Sequence, residues 1–178
     1  MEDTTRIIAV VRGASNVEIQ AMFRALADNW RPRVRVAGLV AEDHGLADRH
    51  CQAGYLRNLT TGARFSIFND LGPGVAMCHL DGIGAVAAAT AVQSDIAAGC
   101  DLVLLNKFGK LEIGRDGLAS AFRAAITAGL PLLTSVSPAH DDAWRRFVDQ
   151  QFAVLPPDPA AIDLWRHAVQ TQIRPVSA

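Results

Sequence analysis

Several things are scarce in this chain, and each shortage closes off a class of explanation. No apolar stretch is long enough to span a bilayer, so no membrane-spanning partner role is expected. The first six residues, MEDTTR, are acidic and polar and do not form a signal peptide. Neither sign of charge is in excess: 17 basic against 18 acidic residues give a formal net charge of -1. No Lys/Arg run stands out, which argues against a nucleic-acid or membrane-surface partner. There are three cysteines, Cys51, Cys78 and Cys100, so complete pairing within one chain is excluded. Their spacing fits no zinc template, and free thiols in a reducing cytoplasm are expected. Repeats, linkers and low-complexity segments are also missing.

What remains is an ordinary globular composition. Half of the 178 residues are apolar and 20% are charged. That length suits one domain, residues 1–178, with a full hydrophobic core.

The organising stretch is Asp101 to Ile113, DLVLLNKFGKLEI. Its apolar run, Leu102 to Leu105, ends abruptly at Asn106 and Lys107. A short apolar run closed by charge and glycine predicts a buried strand of a parallel sheet. Ligands of open α/β sheets lie beyond the carboxyl ends of such strands. Asn106, Lys107, Gly109, Lys110 and Glu112 therefore stand where a site is expected.

The rest of the chain alternates. Strands are predicted at Arg6 to Val11, Val34 to Val40, Leu132 to Val136 and Phe152 to Leu155. Helices are predicted from Val17 to Pro32, Asp81 to Gly99, Gly117 to Ala128, Asp141 to Asp149 and Pro159 to Gln172. Ser15 with Glu18 forms a capping box at the first of these. Ala41 to His50 reads as a loop. Gly54 to Leu59 and Arg64 to Phe68 read as a hairpin about Thr61-Gly62, a small antiparallel excursion. Asp70-Leu-Gly-Pro-Gly74 is a stiff loop followed by Val75 to Leu80. The expected fold is α/β, a mostly parallel sheet with helices on both faces.

A strand, a glycine turn and a helix at the start suggest a phosphate-binding loop. The working form is G-x-x-x-x-G-K-[ST], with backbone N–H groups and lysine on the phosphates and the hydroxyl on magnesium. Here the region is Arg12-Gly-Ala-Ser-Asn-Val-Glu-Ile19, with one glycine, no lysine and no following Ser/Thr. Glu18 sits where positive charge is needed. As the capping partner of Ser15 it would compete with phosphate for the helix-start N–H groups. An ordinary capped turn is the simpler reading; a residual anion site through Arg12, Gly13 and Ser15 is the other.

The order of motifs resembles the thermophile-type, or cancer-related, nucleoside triphosphatases, over roughly Arg6 to Ser137. The matching pieces are VAGLVAED (Val36 to Asp43), GYLRNLTTG (Gly54 to Gly62), NKFGKLEI (Asn106 to Ile113) and LLTSVS (Leu132 to Ser137). The resemblance implies a P-loop NTPase-like fold. It does not carry the activity. The family's loop lysine and threonine have no counterpart, and Asn106-Lys107 replaces the Asp-Glu that would hold magnesium. Both clamps of phosphoryl transfer are missing. The NKFGK block with an upstream LGPG loop is more similar to an uncharacterised bacterial domain family often associated with molybdate uptake, which hints at an oxyanion.

The reading is thus a non-hydrolytic, cytoplasmic protein that binds a molybdate-, tungstate- or phosphate-like anion. Arg12, Gly13, Ser15, Asn106, Lys107 and Lys110 are its candidate ligand residues, with Arg115 nearby. No catalytic residue, metal ligand or cofactor is assigned. A weak or unconventional nucleoside triphosphatase and an oligomeric assembly protein are the alternatives. The pair Lys110 and Glu112 also reads as a surface ion pair. Adjacent Cys78 and His79 would point to opposite strand faces and so not act together. His44, His50, Asp43, Asp48 and Cys51 crowd one polar loop and read as solvated. Trp144 and Trp165 read as packing residues.

Overall fold

A computed structural model describes residues 5–49, 52–74, 81–149 and 151–173. Among these residues seven strands form one sheet: β1 (Ile8–Val11), β2 (Val36–Asp43), β3 (Ala53–Asn58), β4 (Arg64–Ser66), β5 (Leu102–Leu105), β6 (Leu132–Ser135) and β7 (Ala153–Leu155). Their order is β4-β3-β2-β5-β6-β1-β7, so β5, the predicted organising strand, is the central one. The pairs β2–β5, β5–β6, β6–β1 and β1–β7 are parallel. The β2–β3 and β3–β4 pairs are antiparallel, as the predicted excursion requires.

Among the described residues six α-helices cover the sheet: α1 (Asn16–Trp30), α2 (Gly82–Ala98), α3 (Lys110–Ile113), α4 (Ala119–Thr127), α5 (Asp141–Phe147) and α6 (Pro159–Ile173). Alternating strand residues supply two cores. Ala9, Val11, Leu102 and Leu104 pack with Phe23, Leu26 and Trp30 of α1 and Ile162, Trp165 and Val169 of α6. Val10, Val103 and Leu105 pack on the other face with Ala88 and Val92 of α2, Phe122 of α4 and Trp144 of α5. Burial on both faces explains the unbroken apolar strands.

Several predicted boundaries move by a few residues, two of them for visible reasons. The second strand runs to Asp43, into the expected loop. Glu42 can stay in the ladder because Arg57 and Arg64 hold its carboxylate at 2.7 and 2.8 Å. The fourth helix starts at Ala119, since Gly117 has φ +56 and belongs to a turn. Close sheet packing explains one glycine. A Cβ on Gly38 would lie 1.8 Å from the Leu104 carbonyl oxygen, so β2 and β5 meet only because it is absent.

The chain leaves β1 toward one face through α1, while the connection after β6 returns on the other face. The switch in direction therefore falls between β1 and β6, one strand from β5. The segment with Cys78 and His79, and the positions His50 and Cys51, lie outside the described residues.

Candidate functional site

A cleft of about 340 Å³ opens at the carboxyl ends of β5 and β6. Three of the six predicted ligand residues line it: Asn106, Lys107 and Lys110. Arg12, Gly13, Ser15 and Arg115 do not.

Its lysines are presented by a turn fastened at three points. Phe108, between them, is buried and packs ring-to-ring on Phe122, Trp144 and Phe147 with centroids 5.1–5.6 Å apart. Its backbone N–H donates to the Ser135 carbonyl at 2.9 Å, and it bridges Val136. The backbone carbonyl of Asn106 accepts from Gln20 Nε2 at 2.8 Å and from Ser135 Oγ at 2.9 Å. The third fastening is Glu112. It is buried, and its two carboxylate oxygens accept the N–H groups of Gly109 and Leu118, each at 2.9 Å. The expected surface pair of Lys110 with Glu112 is therefore not formed. Two backbone donors at starting turns take the carboxylate inward, where its charge is matched by hydrogen bonds.

Lys107 and Lys110 are exposed, and among the described residues neither has an ion-pair partner. The cleft's two acids are already engaged. Besides Glu112, Asp81 Oδ1 caps α2 by accepting from Ile83 and Gly84 N–H at 2.9 and 3.4 Å. Asn106 is buried, and its Oδ1 has no hydrogen-bond partner among the described residues. Asn16, Ser135, Ser137 and His140 add polar groups to the lining. None of Asn16, Ser137 and His140 was legible as a site residue, because the topology brings them in from other elements.

The loop after β1 is committed elsewhere. Arg12 pairs with Asp141 and lies over the Phe152 ring, 5.8 Å from its centroid. Arg145, then Arg12, holds the Asp141 carboxyl below its ordinary range. Gly13 packs toward Pro157. The capping box forms as predicted. The Ser15 hydroxyl and backbone N–H donate to Glu18 Oε2 at 2.6 and 2.9 Å, and Glu18 N–H donates back to Ser15 Oγ at 3.2 Å. These bonds lower the Glu18 pKa, led by the hydroxyl, so the carboxylate stays ionised at the helix start. The turn following Asp70 is also self-contained, with Arg49 and Gly72 N–H on the Asp70 carboxylate.

The other candidates are structural. The His44 ring lies tilted against Phe68, centroids 4.9 Å apart, and its Nδ1 accepts from Leu46 N–H. Among the described residues no group of three or more His, Cys, Asp or Glu side chains could hold a metal ion, and no helix could cross a membrane. Trp144 and Trp165 are buried, the latter donating from Nε1 to the Arg6 carbonyl at 2.8 Å.

Comparison with known proteins adds a sequence relationship to this geometry. The chain is similar to the Molybdenum import ATP-binding protein ModC 2 of Bradyrhizobium diazoefficiens, 38% identical over 116 residues. The match covers 65% of this chain and 13% of that protein, so the chain spans only a small part of the curated relative's length. With its mostly parallel sheet and helices on both faces, the fold is P-loop NTPase-like. No solved structure matches. Residues 7–165, which take in every strand and the whole lysine cleft, match the model of the family described as Protein of unknown function (DUF2478), and the chain belongs to that family.

Proposed function

We propose that this protein binds a small oxyanion, molybdate-, tungstate- or phosphate-like, at the carboxyl edge of its sheet and does not hydrolyse nucleotide. The observation that carries the reading is the pair Lys107 and Lys110, both facing one cleft and both without an ion-pair partner among the described residues. Cations left unmatched beside engaged carboxylates favour an incoming anion. The relative's name, with its molybdenum import, supports the oxyanion class. Against hydrolysis stands the loop after β1, where Glu18 holds the cap and Arg12 is bound to Asp141. A cytoplasmic site of action goes with the reading.

A weak nucleoside triphosphatase is the second reading, favoured by the P-loop NTPase-like fold and by the ATP binding in the relative's name. A thermal-shift panel separates the two. Molybdate, tungstate and phosphate are tested alone, and ATP and GTP with and without magnesium. A ligand that prefers the native state raises the melting temperature. The expected result is a magnesium-independent shift with an oxyanion, lost in Lys107→Met and Lys110→Met. A magnesium-dependent shift with nucleotide alone would establish the second reading instead. No shift with any compound would overturn both and favour an assembly role.

A further inference from the structure

The cleft holds more than a bare tetrahedral ion would fill. Its volume, about 340 Å³, lies within the ordinary range for organic ligands, roughly 300–1,000 Å³. Its lining is also divided. Lys107, Lys110, Ser137 and His140 supply polar groups, while Leu56, Ile67, Ala85, Leu111 and Leu118 supply apolar ones. A bare oxyanion engages the first set and leaves the second without a partner. Most of those apolar residues are themselves buried, so they form a fixed wall rather than mobile surface side chains.

We propose that the ligand is an amphipathic organic oxyanion of the phosphate-monoester class. Its charged group is held by Lys107 and Lys110, and its aryl or alkyl body lies on Leu56, Ile67, Ala85 and Leu111. The inference rests on the anion reading above and narrows it from a free ion to an ion carried on an apolar body. Charge fixes one end and apolar burial supplies the gain, the usual division of work in small-molecule sites.

The test is calorimetric titration of the full chain with three probes at fixed ionic strength: inorganic phosphate, phenyl phosphate and phenol. Phenyl phosphate is expected to bind at least about tenfold more tightly than phosphate. Its binding is expected to show a more negative heat-capacity change, the mark of apolar burial. Lys110→Met should weaken phosphate and phenyl phosphate together. Leu111→Gln, a change at a half-buried position, should shrink the ratio between them. Equal affinity for phosphate and phenyl phosphate, with both sensitive to Lys110→Met, would overturn this inference and leave the anion site standing. Phenol binding as tightly as phenyl phosphate, with Lys110→Met silent, would overturn the anion reading itself. No binding by any probe would overturn both.

Discussion

Glu112→Gln tests whether one buried carboxylate holds the lysine turn in place. The substitution keeps the shape and removes the charge. Each carboxylate oxygen now accepts a backbone N–H at 2.9 Å, from Gly109 and from Leu118. Hydrogen bonds to a charged group contribute roughly 1.5–3 kcal/mol each, and a neutral one about 1 kcal/mol. In the variant one oxygen becomes an amide NH₂ facing another N–H donor, so that bond is lost. The other survives in neutral form. The expected loss is about 2–5 kcal/mol, a large part of the roughly 5–15 kcal/mol of a typical domain. Urea unfolding at neutral pH, followed by tryptophan fluorescence, should show it. With a slope of about 1–3 kcal/mol/M the midpoint falls by about 1 M or more. Gly117→Ala should act on the same joint, because its Cβ would lie 2.5 Å from Glu112 Oε1 at a φ of +56. The two changes together should cost less than their sum, as expected for neighbours sharing a partner. A loss below about 1 kcal/mol for Glu112→Gln would refute the strut.

Other expectations follow from local geometry. Ser15→Ala removes the hydroxyl that accepts from Glu18 N–H and should cost about 1 kcal/mol in urea unfolding while leaving anion affinity unchanged. Gly38→Ala drives a methyl to 1.8 Å from the Leu104 carbonyl at a φ of +130, so soluble folded protein should be lost, as judged by circular dichroism. Asp70 should mark the acid limb of stability. Arg49, then Gly72 N–H, lowers its carboxyl from 3.8 to about 2. A depressed folded pKa stabilises above the unfolded value, near pH 4, and that share is lost as the pH falls through about 2. Asp70→Asn should flatten the decline between about pH 4 and 2 in denaturation curves, and an unchanged decline would rule Asp70 out as its source.

The strands were readable because burial on both faces demands unbroken apolar runs, and Leu102 to Leu105 is such a run. The first capping box was readable because its partners are three residues apart. Glu112 was not, since a carboxylate after lysine and glycine ordinarily faces water. Its burial depends on Leu118 N–H arriving from the next helix. Arg12 was misleading for a related reason. It follows a strand and precedes a glycine, as an anion ligand would, but Asp141 from α5 takes its guanidinium. Giving the loop its missing lysine and hydroxyl through Glu18→Lys and Ile19→Thr meets a similar limit. Ile19 is a buried member of the α1 core, so the pair of changes would also damage packing. Ser137 and His140 reach the cleft only through the fold, and no spacing in the chain announces them.

The sheet order has a consequence for how the protein is made. Of the seven strands, β1 leaves the ribosome first, yet it is not an edge strand: Ile8 pairs with Leu132 and Ala9 with Ala153. Both partners are synthesised late. At roughly 5–20 residues per second, β1 waits on the order of ten seconds for its neighbours. The β2–β3–β4 meander can zip locally in that interval. Until β6 and β7 emerge, an apolar IAVV segment with open backbone edges stands ready to pair with any other chain. Slower synthesis of the stretch between β1 and β6 should therefore raise aggregation.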